Sequence, residues 1–199
     1  DIGNTSITIG LFEGHNIVKK NLFFSISEFV VFLDSIKKYD IKCAAISSVV
    51  PKLTKEYTEL LTETYQYSIF IINYQLTNLS LQVTQPETIG IDRLCNIFAI
   101  NRDYNVPAII VDFGTATTYD VLNKNGEFIG GAIATGVETS VQYLIDKAAL
   151  LSNTDLVFPD DVIGTDTSTN IQSGVMFGSV DQVEGTINRI KEETNTDYS

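Results

Sequence analysis

The chain has 199 residues, 44% of them hydrophobic, and a formal net charge of −12 with a pI near 4.3. That is enough apolar material for one domain or two small ones, and the acidic balance argues against nucleic-acid partners, which need a basic stripe. Cys43 and Cys95, its only cysteines, make no disulfide framework and fit a reducing cytoplasm, and no apolar run reaches membrane-spanning length.

The first stretch is Asp1-Ile2-Gly3-Asn4-Thr5-Ser6-Ile7-Thr8. Ser6 to Phe12 reads as a strand, a turn follows at Glu13-Gly14-His15-Asn16, and Ile17 to Asn21 returns. An apolar strand is expected ahead of Asp1, so the natural N-terminus is expected further upstream. His15, the only histidine, is read as exposed and without a role. Ser25-Ile26-Ser27-Glu28 spells a capping box. Phe29, Val30, Phe32, Leu33 and Ile36 then mark one face of a helix. Lys42 to Val50 is a strand, Pro51 opens a helix with Leu53, Tyr57, Leu60 and Leu61 as its stripe, and Ser68 to Ile72 is another strand. Residues 73–89 read as irregular, with a short strand at Leu79 to Val83. Gly90-Ile91-Asp92-Arg93 opens a helix to about Asn101.

The second half repeats the first design. Pro107 to Val111 is a buried strand that ends on Asp112-Phe113-Gly114-Thr115-Ala116-Thr117-Thr118. Tyr119 to Leu122 alternates, Asn123-Lys124-Asn125-Gly126 turns, and Phe128 to Ala134 returns. Gly136 leads into a helix from Val137 to Leu151, with Val141, Leu144, Ile145 and Ala148 as its buried face. The last helix is expected from about Thr169 to Thr194. Its Gly174 and Gly178 let another backbone pack closely, within the chain or across a dimer contact. A repeat outranks single motifs as a sign of fold. Here it is an Asp-x-Gly loop leading into a hairpin, twice. Glycine lets backbone approach a ligand, Thr hydroxyls and N–H groups cradle phosphate, and strand-end carboxylates hold or orient cations. Two such loops suggest a nucleotide phosphate chain gripped from both sides. No Gly-x-x-x-x-Gly-Lys-[Ser/Thr] pattern is present, so the site is not a P-loop, and no Ser/His/Asp or Cys/His set supports a hydrolase.

Three blocks in order, Asp1-Ile-Gly-Asn-Thr5, Gly90-Ile-Asp-Arg93 and Val111-Asp-Phe-Gly-Thr-Ala-Thr-Thr118, resemble the type III pantothenate kinase family of the actin–hexokinase–heat-shock ATPase superfamily. The likeness runs through nearly the whole chain, with lesser support from Gly130-Gly131, Gly136, Gln172-Ser173-Gly174 and Gln182-Val183-Glu184-Gly185. It implies an α/β, ribonuclease H-like or actin-like fold of two similar halves, each with a mixed sheet in a βββαβα pattern. Residues 1–89 and 90–199 are the expected halves, and the C-terminal end is expected to continue beyond Ser199. The implied reaction is ATP-dependent phosphorylation of pantothenate to 4'-phosphopantothenate, the first step of coenzyme A synthesis, in a cytoplasmic homodimer. Rival readings are a regulator like the Bvg accessory factors, or another small-molecule kinase of the superfamily. Intact Asp1, Asp92, Arg93 and Asp112 favour an enzyme.

The resemblance also implies roles. Asp1, Ile2, Gly3, Asn4, Thr5, Ser6, Ile7, Thr8 and Thr115 would line ATP. Asp1 would sit near Mg2+ through water. Asp112 would bind a monovalent cation, K+ or NH4+. Gly90, Ile91, Asp92, Arg93 and Thr167 would meet pantothenate, with Asp92 taking the proton of its hydroxyl. Read without the resemblance, Asp92 is a helix cap twice as readily as a base, Arg93 is a surface ion pair, and Thr167 is a helix cap. Val83 stands where many members carry Tyr on the substrate side, and Leu150-Leu151-Ser152-Asn153 departs from the family pattern.

Overall fold

The first hairpin joins β1 (Ile7–Glu13) to β2 (Asn16–Phe23), antiparallel from Ile7 opposite Phe23 to Glu13 opposite Asn16. It belongs to one of two units in the computed structural model, which describes residues 1–64, 68–147 and 154–198. The first unit is residues 1–79 with 84–99; the second is 80–83 with 100–199. Residues 90–99 pack with the first unit.

In the first unit α1 (Ile26–Ile36) follows β2. Ser25 is its N-cap and accepts the Glu28 N–H at 3.4 Å. The Glu28 carboxylate returns to the Phe24 N–H at 2.8 Å, one residue beyond the usual capping-box partner. Phe29, Phe32, Leu33 and Ile36 are buried. Val30, expected with them, is 41% exposed, because it stands about 100° round the helix from Phe29, at the centre of the buried face. The strand β3 (Cys43–Ile46) is shorter than expected. Ser48 Oγ accepts the Val50 N–H at 3.1 Å and the Thr54 hydroxyl at 2.7 Å, which turns the chain into α2 (Pro51–Thr64). Pro at the first helical position loses no bond the helix would have made. β4 (Ser68–Ile71) then pairs parallel with β3, an arrangement that needs a crossover such as α2.

Ile2, 3% exposed, links the two small sheets. It bridges Ile7 antiparallel and Ser48 parallel. Its N–H reaches the Ser47 carbonyl at 2.8 Å, and its carbonyl accepts the Val49 N–H at 3.1 Å. The core below it is aromatic, with ring centroids of Phe23 and Phe32 5.3 Å apart and of Phe29 and Tyr57 4.8 Å apart. Such edge-on pairs add about 0.5–1.5 kcal/mol each beyond burial. The stretch read as irregular holds a short helix, α3 (Tyr74–Thr77), because Asn73 Oδ1 caps the Gln75 and Leu76 N–H groups at 3.1 and 3.2 Å.

The second unit is built on a meander of β5 (Ala108–Phe113), β6 (Ala116–Leu122) and β7 (Phe128–Thr135), in that order. Leu81, in the expected short strand, makes a single parallel bridge to Phe128. Asn123 Oδ1 accepts the Asn125 and Glu127 N–H groups at 2.9 and 3.0 Å, and Gly126 takes φ 75° to close the β6–β7 turn. Tyr119, Leu122 and Phe128 are buried at the centre. The helix α4 (Ile91–Asp103) buries Leu94 and Ile97 fully in its first-unit part, and in its second-unit end the Asn101 side chain donates to the Gly126 carbonyl at 2.6 Å. In α5 (Val137–Lys147) Val141 is buried, but Leu144 is 43% exposed. Ala148, the expected end of that helix at Leu151, and Leu150 to Asn153 lie outside the described residues. The last helix, α6 (Thr167–Thr194), starts two residues early because Asp166 is its cap: Asp166 accepts the Thr169 N–H at 2.9 Å and Thr169 Oγ1 accepts the Asp166 N–H at 3.2 Å. The Thr169 N–H, with the Thr169 hydroxyl and the Ser168 N–H, holds the Asp166 carboxyl below the usual carboxylate range. No helix among the described residues is long and apolar enough to cross a membrane.

Candidate active site

The two Asp-x-Gly loops close by the same local bonds. Asp1 and Thr8 exchange backbone hydrogen bonds at 2.8 and 2.9 Å, and the Gly3 N–H donates to the Ser6 carbonyl at 3.0 Å. In the second unit Asp112 stands opposite Thr118, and the Gly114 N–H donates to the Ala116 carbonyl at 3.0 Å. In each loop an Asp at the strand edge faces a Thr on the returning strand, and the glycine N–H closes the turn. The second loop is one residue shorter, since Ile2 faces Ile7 whereas Phe113 faces Thr117. Ile2 and Ile7 anchor the first loop in the core; Asp1, Asn4 and Thr5 lie exposed above it, with Gly3, Ser6 and Thr8 half-buried. Thr115 is exposed and Asp112 half-buried.

Helix α5 begins against the second loop. The Gly136 N–H donates to the Thr115 carbonyl at 3.1 Å, and the Thr139 hydroxyl donates to the same oxygen at 2.9 Å. A Cβ on Gly136 would lie 2.1 Å from the Gly114 carbonyl oxygen and 2.7 Å from that of Thr115. Only glycine permits that approach. The sequence singled out Gly136 but not Thr139. Its signal, a Thr three residues after the helix-opening glycine, is common at helix starts and points to no partner.

Gly90 caps α4, its carbonyl accepting the Leu94 N–H at 3.1 Å. Asp92 is therefore inside the first turn and is not the capping residue. Its carboxylate is exposed and accepts the N–H of Arg93 at 2.8 Å. It lies over Gly90, where a Cβ would come within 2.4 Å of Asp92 Oδ1. The same Cβ would meet Val49 Cγ1 at 3.8 Å, and the Val49 N–H is held by the Ile2 carbonyl at 3.1 Å. Val49 thus joins the Gly90-Ile91-Asp92-Arg93 block to the first loop within one unit. Ile91 and Arg93 are half-buried. Gly90→Ala is expected to push the Asp92 carboxylate aside and to cut kcat by about tenfold, with α4 retained; steady-state kinetics beside a circular dichroism spectrum checks this. Thr167 heads α6 with an exposed side chain, its expected capping role taken by Asp166. His15 is exposed in the β1–β2 turn.

No group of three or more His, Cys, Asp or Glu side chains suited to a metal ion occurs among the described residues. Mg2+ on a nucleotide needs none, since one or two carboxylates, waters and phosphate oxygens complete its shell. The exposed Asp1 carboxylate fits that use. Thr hydroxyls, present in both loops, suit phosphate oxygens, while the glycine N–H groups are spent on closing the turns.

The sequence profile of the family described as type III pantothenate kinase matches residues 1–189. A type III pantothenate kinase of Moorella thermoacetica is 36% identical over 97% of this chain and 81% of its own length. One from Roseiflexus castenholzii is 38% identical, covering 98% of this chain and 82% of its own. Among solved structures, a Campylobacter jejuni protein described as a Baf family transcriptional activator superposes with a TM-score of 0.61 at 19% identity, over 93% of this chain and 76% of that one. At that identity the likeness speaks for the fold alone.

Proposed function

This chain belongs to the type III pantothenate kinase family, and from that premise we propose how its residues divide the work of ATP-dependent phosphorylation of pantothenate. The reaction yields 4'-phosphopantothenate and begins coenzyme A synthesis. We read the chain as two actin-like halves, each with an Asp-x-Gly loop suited to nucleotide phosphate. The observation that carries this is the shared bonding of the loops: Asp facing Thr across the strands, glycine N–H closing the turn at 3.0 Å in both.

In the first loop Asp1 to Thr8 lines the phosphates, led by the exposed Asn4 and Thr5 side chains. Thr115 does so from the second, its carbonyl fixed by Gly136 and Thr139. Asp1 would hold Mg2+ through water, and Asp112 would hold a monovalent cation, K+ or NH4+. When bound, these ions supply the positive charge that a chain of net charge −12 does not. Arg93 pairs with the pantothenate carboxylate, as a guanidinium pairs best with such a group. Gly90, Ile91 and Thr167 complete the substrate wall. Asp92 accepts the proton of the substrate hydroxyl as the oxygen attacks the terminal phosphorus in line and the bond from that phosphorus to the bridging oxygen of ADP breaks. Phosphoryl transfer has a loose transition state, so positioning and charge neutralisation carry most of the rate. A homodimer in the cytoplasm is part of the same proposal.

A coupled assay with ATP and pantothenate, with and without K+, tests the reading. K+-stimulated consumption of ATP that depends on pantothenate is the expected result. ATP consumption indifferent to pantothenate would overturn it. Asp112→Asn should lose the stimulation by K+, up to about tenfold in rate, and keep its basal turnover; a K+ titration of the variant reads this directly.

A further inference from the structure

The block Gly90-Ile91-Asp92-Arg93 stands in the middle of a segment whose two ends are fastened to one turn. The outgoing end is residues 80–83, which belong to the second unit. There the Phe128 N–H donates to the Ser80 carbonyl at 2.9 Å, and the Gln82 N–H donates to the Phe128 carbonyl at 2.8 Å. The chain then passes through the first unit from Thr84 to Ala99 and returns to the second as the last turn of α4. The Asn101 side chain closes the excursion by donating to the Gly126 carbonyl at 2.6 Å.

The turn that receives both ends, from Asn123 to Phe128, is internally braced. The Gly126 N–H donates to the Asn123 carbonyl and the Asn123 N–H to the Glu127 carbonyl, both at 3.0 Å. The Asn123 amide donates to Glu127 Oε2 at 2.7 Å. Asn101 lies directly on Gly126, where an added Cβ would stand 2.2 Å from Asn101 Oδ1, and φ 75° disfavours a side chain there in any case. The outgoing end is held by backbone bonds that no substitution removes. The returning end is held by a side chain, which a single substitution can release.

α4 is one continuous helix from Ile91 to Asp103, so a tilt at Asn101 is felt at Asp92. Leu94 and Ile97, both fully buried, are the fulcrum. Asp92 lies five residues beyond Ile97, about 7.5 Å along the axis, so a tilt of about 8° displaces it by about 1 Å. A misplacement of that size costs up to about 10²-fold in rate. We propose that Asn101 is a positioning residue for Asp92: by fixing the far end of α4 on the β6–β7 turn, it sets where the Gly90–Arg93 block presents its carboxylate. The consequence for rate rests on the reading of Asp92 as the base.

The test uses the full chain with Asn101→Ala and Asn101→Asp. The second keeps the shape of the side chain but turns an oxygen, not an N–H, toward the Gly126 carbonyl. Both are expected to lower kcat about tenfold and to leave the KM for ATP within about twofold. Lys124→Ala, which alters an exposed side chain of the same turn, is expected to behave as the parent. In an Asp92→Asn background Asn101→Asp should cost less than about twofold, because a residue that acts through Asp92 has nothing left to position. Equal losses in the two backgrounds, or a loss in Lys124→Ala as large as in Asn101→Asp, would overturn the proposal. A second arm needs no substrate. The Leu94 N–H, held by the Gly90 carbonyl at 3.1 Å, should exchange at least about threefold faster in Asn101→Asp. Exchange unchanged there, with acceleration confined to Tyr104 at the far end of α4, would overturn the proposal as well. A parent chain that does not phosphorylate pantothenate would sink the kinase reading alone, and exchange at Leu94 would still decide this one.

Discussion

Asp92→Asn is expected to bind ATP normally and to lose about 10²–10⁴-fold in kcat, the usual contribution of a positioned general base. The substitution is nearly isosteric. An Asn oxygen still accepts the Arg93 N–H, held at 2.8 Å by the carboxylate, so the first turn of α4 survives. What disappears is a group able to take a proton. The change also removes a negative charge from a strongly acidic chain, which favours ATP binding if it acts on it at all. The loss therefore belongs to kcat and not to the nucleotide KM. Calorimetric titration with ATP and a coupled assay at saturating substrates separate the two. Near-wild-type turnover would return Asp92 to the helix-start role that its sequence context also suits.

Gly136→Ala is expected to lower kcat/KM for ATP by about 10²-fold and to cost about 1–3 kcal/mol of stability. The added Cβ would stand 2.1 Å from the Gly114 carbonyl oxygen and 2.7 Å from that of Thr115. Both obstacles are backbone, so no side chain can rotate away. Either α5 withdraws, breaking the 3.1 Å bond from the Gly136 N–H and the 2.9 Å bond from Thr139, or the loop shifts and takes Thr115 with it. Thr139→Val is the companion variant, since it removes only the hydroxyl bond and leaves the backbone contact. A smaller loss in Thr139→Val, with Tm nearly unchanged, fits this account. Equal kinetics for Gly136→Ala and the parent would show that Thr115 does not need α5 behind it.

Both hairpins were legible in the sequence because alternation and turn residues act over a few positions. The Asn123-Lys124-Asn125-Gly126 turn needs only its own side chains to close. The capping signal at Ser25 was equally local, though Glu28 reaches Phe24 instead of Ser25. Less was legible where packing chooses. Val30 and Leu144 are as apolar as their neighbours, yet both are exposed. The strand after Lys42 stops at Ile46 because Ser48 bends the chain toward α2. Asp166 took the cap that the run Thr165 to Ser168 offered to several residues. For the candidate site, the residue types and their order were readable, but the supports of each were not.

By itself the sequence determined the family, the two Asp-x-Gly loops and the block that carries Asp92. Each is a short run whose bonds close within about eight residues, so its order alone specifies it. Only the tertiary structure decided that Val49 ties that block to Ile2, that Gly136 stands against Thr115, and that Ile2 spans two sheets. Those contacts join residues tens of positions apart, and they are chosen by which faces the core buries, a quantity no local pattern encodes.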